Sequence, residues 1–190
     1  MIDSEGDRRA FFRETLGRLA REVAVRTERR VVVDQYFRPP GAIDEVSFLA
    51  KCTRCDACVD VCPANAIVKA PARAGLAAGT PFIEPRIQPC TVCIDIPCAT
   101  ACPTGALVPP PNRWDGYAMA RLELHPERCI AFEGLECGIC VRVCPVGDVA
   151  IAADDAGRPV IKAEGCVGCG VCVRACPTLP SSLELHLTER

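Results

Sequence analysis

The chemistry available to this chain lies in its cysteines. All 16 fall into four groups of four, and each group is closed by proline. Cys166, Cys169, Cys172 and Cys176 read C-x2-C-x2-C-x3-C before Pro177, and Cys52, Cys55, Cys58 and Cys62 repeat that spacing before Pro63. Cys90, Cys93, Cys98 and Cys102 widen the second interval to four residues before Pro103. Cys129, Cys137, Cys140 and Cys144 widen the first interval to seven before Pro145. Three thiolates so spaced wrap one [4Fe–4S] cluster, and the fourth, about a helical turn further on, points toward a second cluster. Proline then ends the turn, because it has no N–H to continue it. Gly168 and Gly170 let the backbone bend tightly enough for its N–H groups to approach sulfide and stabilise negative charge. The spacing predicts four [4Fe–4S] clusters with all 16 cysteines as iron ligands.

Two other uses of cysteine fit less well. Disulfide scaffolds belong to secreted chains, and thiols clustered at x2 spacing suit a metal better than a network of long loops. Zinc knuckles need two C-x2-C pairs and have no use for a third thiol, or for a fourth before proline. The formal net charge of −2, from 22 basic and 24 acidic side chains, gives no bulk attraction to nucleic acid. With 6 Phe, 2 Tyr and 1 Trp, an ordinary aromatic core is thin. The clusters are expected to replace much of it, leaving the metal-free chain largely unfolded. Nothing resembles a catalytic constellation. His125 and His186, the only histidines, have no Cys or Ser partner and read as surface or capping residues. Asp95 reads as a solvated loop carboxylate rather than a group that tunes a potential. No Gly-rich flavin or nicotinamide fingerprint is present. The expectation is an electron carrier or redox-complex subunit without a substrate site of its own.

The elements that must hold these groups are short. Residues 1–37 are set apart: Phe12, Leu16, Leu19, Ala20 and Val23 recur at helical spacing with charge opposite, predicting an amphipathic helix, and Val31-Val32-Val33 follow as a lead-in strand. Arg8-Arg9 echoes a twin-arginine export signal, but Arg13, Glu14, Arg18, Arg21 and Glu22 break the apolar stretch such a signal needs. A cytoplasmic location is therefore expected. The longest uncharged run, Ile96 to Asn112, holds five prolines and is no membrane span, so any membrane contact is expected through the N-terminal helix or a partner. Residues 38–190 form the cluster domain, with groups at 52–63, 90–103, 129–145 and 166–177 and connectors at 69–81 and 108–112. An apolar tail follows each Cys-Pro: Ala66-Ile67-Val68, Ala106-Leu107-Val108, Val149 to Ala152, and Leu183-Glu184-Leu185. Each reads as a short strand, and Val160-Ile161 is expected to pair with 149–152 around a turn at Asp154 to Gly157. The fold class expected is α+β: two ferredoxin-like 2[4Fe–4S] modules with short strands and helices around the clusters, plus the N-terminal amphipathic helix.

In such a module each group gives three ligands to one cluster and its last cysteine to the other. Spacing alone permits adjacent pairing (first group with second, third with fourth) or nested pairing (first with fourth, second with third). The seven residues Ile130 to Glu136 leave Cys129 open to displacement, with a labile cluster as the consequence.

Several stretches carry a family resemblance: Arg38-Pro39-Pro40-Gly41-Ala42, Gly79-Thr80-Pro81-Phe82, Pro89-Cys90 through Cys98, Cys102 through Leu107, and Cys129 through Cys137. On these the chain resembles, over about residues 37–185, the MauM/NapG-type four-cluster ferredoxins of quinol dehydrogenase and periplasmic nitrate reductase systems. The second group is also similar to that of molybdoenzyme iron–sulfur subunits, and Phe48 to Cys58 to NapF, a cytoplasmic relative linked to molybdoenzyme maturation. The resemblance implies electron transfer from a quinol or dehydrogenase donor to a reductase partner or cytochrome, and a chain this small with four clusters is expected to be one link in a larger redox complex. Its alternative is a NapF-like maturation or interaction protein for a molybdoenzyme. It also implies nested pairing, with Cys176 joining Cys52/55/58, Cys62 joining Cys166/169/172, Cys144 joining Cys90/93/98, and Cys102 joining Cys129/137/140.

Overall fold

The computed structural model describes residues 36–187. The amphipathic helix and the strand expected at Val31-Val32-Val33 lie outside the described residues. Helix α1 (Glu45–Lys51) opens the first half, where the Asp44 carboxylate accepts the Ser47 N–H at 3.0 Å. Glu45 in its first turn and Lys51 in its last complement the helix dipole. Each cysteine group then contributes one short helix: α2 (Ala57–Asp60), α3 (Pro97–Thr100), α4 (Ile139–Arg142) and α5 (Val171–Ala175).

Six strands form three separate two-stranded antiparallel sheets. β1 (Ile67–Lys69) pairs with β2 (Pro81–Ile83), placing Val68 opposite Phe82. β3 (Ala120–Leu124) pairs with β6 (Leu183–Leu187), placing Leu122 opposite Leu185. β4 (Ile151–Ala153) pairs with β5 (Pro159–Ile161), placing Ala152 opposite Val160, around the expected turn. Three of the four apolar tails thus become strands. The tail at Ala106 to Val108 forms only a bridge between Leu107 and Ala42. Pro109, Pro110 and Pro111 follow it, and they have no N–H with which to extend a ladder. β2 and β3 were not among the expected strands, and a 3₁₀ turn (Ala72–Ala77) interrupts the 69–81 connector.

The core is small and built partly of cysteine. Phe48, Ile67, Ile83, Ile96, Leu107, Met119 and Val167 share one buried cluster with Cys90, Cys98 and Cys169, and Leu122, Val173 and Leu183 share another with Cys172. Arg38 is buried against Phe48, with its guanidinium carbon 4.5 Å from the ring centre. It donates to both Glu45 carboxylate oxygens (3.0 and 2.6 Å), to Thr80 Oγ1 (2.8 Å) and to the Pro81 carbonyl (2.8 Å), tying α1 to β2. Two close approaches join the halves. Arg174 Nε donates to the Ile87 carbonyl at 2.8 Å, and a Cβ at Gly170 would lie 2.5 Å from Pro85 Cβ. Among the described residues, no helix is long and apolar enough to cross a membrane.

Candidate functional site

The cysteine groups curl because particular residues take left-handed backbone conformations. Gly168 (φ +66°) and Gly170 (φ +86°) do so on either side of Cys169, as expected. Arg54 (φ 60°) and Asp56 (φ 67°) do the same around Cys55, and Val92 (φ 57°) and Ile96 (φ 43°) in the second group. A branched side chain held there is strained, and it persists only where its surroundings fix it. Arg54 is fixed through its guanidinium, which donates to the carbonyls of Ala78 (2.8 Å) and Leu76 (3.0 Å) and so pins the 3₁₀ connector beside the first group. Each short helix starts directly after such a residue (Asp56, Ile96, Gly138 or Gly170) and carries the third cysteine inward.

Four cavities result, each lined by four cysteines. The first is lined by Cys52, Cys55, Cys58 and Cys102, and the second by Cys62, Cys90, Cys93 and Cys98. The third is lined by Cys129, Cys137, Cys140 and Cys176, and the fourth by Cys144, Cys166, Cys169 and Cys172. The structure therefore overturns the nested pairing that the resemblance implied: each group exchanges its last cysteine with its neighbour in sequence. The cause is local. The β1–β2 and β4–β5 hairpins fold consecutive groups back on each other, so that α2 packs on α3 and α4 on α5. Cys129 is not displaced. The insert closes on itself through the N–H groups of Phe132, Glu133 and Leu135, bonded to the carbonyls of Cys129 and Ile130, and Cys129 sits buried in the third cavity.

The cavities suit a cluster better than a single ion. Among the described residues, no three Cys, His, Asp or Glu side chains close on one point as a lone metal ion requires. The thiols instead ring four partly open hollows, walled largely by apolar residues such as Phe48, Ile96, Leu124 and Ile151. A [4Fe–4S] cube, bound by one thiolate per iron, fits such a ring. All 16 cysteines are free of disulfides.

Burial dominates the electrostatics. It pushes the thiol of Cys58 up to about 11, those of Cys90 and Cys98 to about 12, and those of Cys140 and Cys169 to about 11. Cys166 and Cys172 are raised for the same reason. Cys102 and Cys176 go the other way. Burial pushes Cys102 up, but the backbone N–H groups of Leu107 and Thr104 outweigh it. For Cys176 the hydroxyls of Ser182 and Thr178 overcome burial and bring the thiol down to about 6. Repulsion between thiolates also crosses from cavity to cavity: Cys58 pushes Cys98 up, Cys169 pushes Cys90 up, and Cys140 pushes Cys172 up. These neighbours set the cavities in a file: first, second, fourth, third. The Arg174–Ile87 and Gly170–Pro85 contacts lie at its middle joint.

Neither His125 nor His186 lines any of the four cavities: His186 is in β6 and His125 follows the end of β3. His186 Nε2 lies 2.8 Å from Glu123, and His125 lies within 3.3 Å of both Glu127 and Glu184. Asp95 is exposed. Sequence reasoning missed Arg54, the Thr178–Ser182 pair, and Trp114, which walls the second cavity and donates Nε1–H to the Cys93 carbonyl at 2.8 Å. The Trp was visible in the sequence, but its placement depends on the turn after the proline run.

Comparison with known proteins agrees with this geometry. The model of the 4Fe-4S dicluster domain matches twice, over residues 51–106 and 135–179. The first match spans the first two groups, and the second spans the fourth group and the third from Cys137 onward, leaving Cys129 outside it. The methylamine utilization ferredoxin-type protein MauM of Paracoccus denitrificans is 43% identical over 141 residues, covering 70% of this chain and 62% of that protein. MauM of Methylophilus methylotrophus is 35% identical over 181 residues, covering 87% and 80%. The ferredoxin-type protein NapG of Escherichia coli is 39% identical over 143 residues, covering 70% and 62%. The chain thus spans 62% of the length of the Paracoccus and Escherichia relatives.

Proposed function

Because the chain belongs to the ferredoxin-type 4Fe-4S dicluster family that includes MauM and NapG, we propose that it relays single electrons between a quinol or dehydrogenase donor and a reductase partner. Its four [4Fe–4S] clusters supply the one-electron redox chemistry. The chain's residues hold, order and insulate them. Cys52, Cys55, Cys58 and Cys102 are the ligands in the first cavity, and Cys62, Cys90, Cys93 and Cys98 in the second. Cys144, Cys166, Cys169 and Cys172 serve the fourth, and Cys129, Cys137, Cys140 and Cys176 the third.

The observation that carries this reading is the set of four thiol quartets whose neighbours lie close enough for their thiolates to repel one another, first to second, second to fourth and fourth to third. Phe48, Ile96, Leu122 and Leu124 exclude water from the walls, and the N–H groups of Ala66 and Leu107 bond the sulfurs of Cys62 and Cys102 at 3.3 and 3.4 Å, fixing the crossing thiols. The relatives' part in methylamine utilization supports an oxidative source of electrons.

The test is anaerobic purification of the full chain with whatever redox protein accompanies it, followed by stopped-flow mixing. Reduced chain is expected to pass electrons to that partner, or to take them from it, faster than a variant lacking one cluster. Full clusters that stay silent during turnover, on a chain held by a metal-free molybdoenzyme, would replace electron relay with a maturation role.

A further inference from the structure

We propose that the hydroxyls of Thr178 and Ser182 are tuning residues. They raise the reduction potential of the third-cavity cluster and make that end of the file the place where electrons come to rest. The inference rests on the reading above that Cys176 ligates iron there.

The geometry is a built hydroxyl pair. Thr178 Oγ1 and Ser182 Oγ each lie 3.2 Å from Cys176 Sγ, and 3.1 Å from each other. A thiolate has no proton to give, so toward it the hydroxyls are the donors. Thr178 Oγ1 already accepts the Ser182 N–H at 3.0 Å, which leaves its hydrogen for sulfur. Ser182 is 2% exposed and has no bulk water as an alternative partner. Its position is held from both sides. Its carbonyl accepts the His125 N–H at 2.8 Å, and Ser181 Oγ accepts the Leu183 N–H at 3.1 Å, at the entry to β6.

Two of the other three crossing cysteines are bonded differently. Cys62 receives one backbone N–H at 3.3 Å; Cys102 receives one at 3.4 Å, with Thr104 Oγ1 at 3.7 Å. Among the described residues, Cys176 is the one cysteine with two hydroxyls within 3.2 Å of its sulfur. Hydrogen bonds to ligand sulfur stabilise the extra negative charge of the reduced state and raise the potential. Electron movement along the file is one-for-one: as one cluster is reduced its neighbour is oxidised, and no bond breaks. A higher potential in the third cavity therefore draws the electron from the fourth toward that end.

The experiment compares Ser182→Ala, Thr178→Val and Ser182→Thr in the full, cluster-loaded chain by EPR-monitored redox titration. The third-cavity signal is first identified as the one lost in Cys129→Ser. Ser182→Ala and Thr178→Val are each expected to lower that one potential, by about tenfold in the reduction equilibrium, or about 59 mV for one electron. The other three potentials stay put, and Ser182→Thr restores the value. Full iron with no potential moved, or with all four moved together, overturns the proposal. If a variant loads iron incompletely, deuterium-exchange ENDOR on the unchanged chain decides. Exchangeable hydroxyl deuterons coupled to the third-cavity signal are expected, and their absence refutes the tuning. Failure of the ligand assignment shows separately, as full iron and unmoved potentials in Cys176→Ala.

Discussion

Replacing Arg38 by Met keeps the length of the side chain and removes the guanidinium that ties α1 to β2 beside the first cavity. The guanidinium makes four charge-assisted hydrogen bonds, two of them a fork onto Glu45, and it stacks on Phe48, which walls that cavity. Breaking a buried ion pair from one side costs about 3–5 kcal/mol. Here the Glu45 side chain keeps 28% exposure and regains water, which discounts the figure, while Thr80 Oγ1 and the Pro81 carbonyl lose a donor, which restores part of it. A loss of about 3 kcal/mol follows. Where opening of this wall limits iron release, that converts to about a hundredfold faster loss of the first-cavity iron to a chelator. Arg38→Lys keeps the charge but not the fork, and should fall about midway. The assay is anaerobic bleaching of cluster absorbance with chelator in excess, beside the thermal midpoint of the loaded protein. A bleaching rate within about threefold of the unchanged chain, or acceleration confined to the third and fourth cavities, would refute the assignment of Arg38 as the clamp of the first.

Other outcomes follow from the same geometry. Cys102→Ser should empty or weaken the Cys52/55/58 site and leave about twelve irons per chain, whereas nested pairing would have it disturb the third group; EPR of the remaining signals separates the two. Gly168→Ala should prevent the fourth group from closing, because φ is +66° and the added Cβ would fall 2.2 Å from the Ala120 carbonyl oxygen. Gly105→Ala, with φ +68° but open space, should be milder, as iron content and thermal midpoint will report. The Asp154 carboxyl is held below its usual 3.8 by the backbone N–H of Arg158, which outweighs burial, and by the Arg158 guanidinium. A group with a lowered folded pKa stabilises above its unfolded value and loses that contribution as pH falls through the folded one. Asp154→Asn should therefore weaken the β4–β5 hairpin at neutral pH, by hydrogen exchange, and the difference from the unchanged chain should fade as the pH drops through the lowered carboxyl pKa.

The groups of four cysteines were legible because their spacing is itself a ligand pattern, and three of the four strand tails because apolar runs after Cys-Pro pack as short strands where no proline run follows. The partner of each crossing cysteine was not legible. Every connector is long enough for either pairing, and the choice is made by the β1–β2 and β4–β5 hairpins, of which β2 begins at a proline and carries little strand signal. β3 was legible and passed over: Ala120, Leu122 and Leu124 alternate with Arg121 and Glu123. The left-handed positions at Arg54, Asp56, Val92 and Ile96 could not be read from residue type, since only glycine advertises that conformation. Thr178 and Ser182 gained meaning only once the loop had folded them onto Cys176.

The most direct measurement of the central claim is iron and acid-labile sulfide quantitation on the anaerobically prepared chain, read together with EPR of its fully reduced form. About sixteen irons and sixteen sulfides per chain are expected, with signals broadened by spin coupling between neighbours in the file. Zinc in place of iron, or four clusters whose signals stay uncoupled at full reduction, would contradict it.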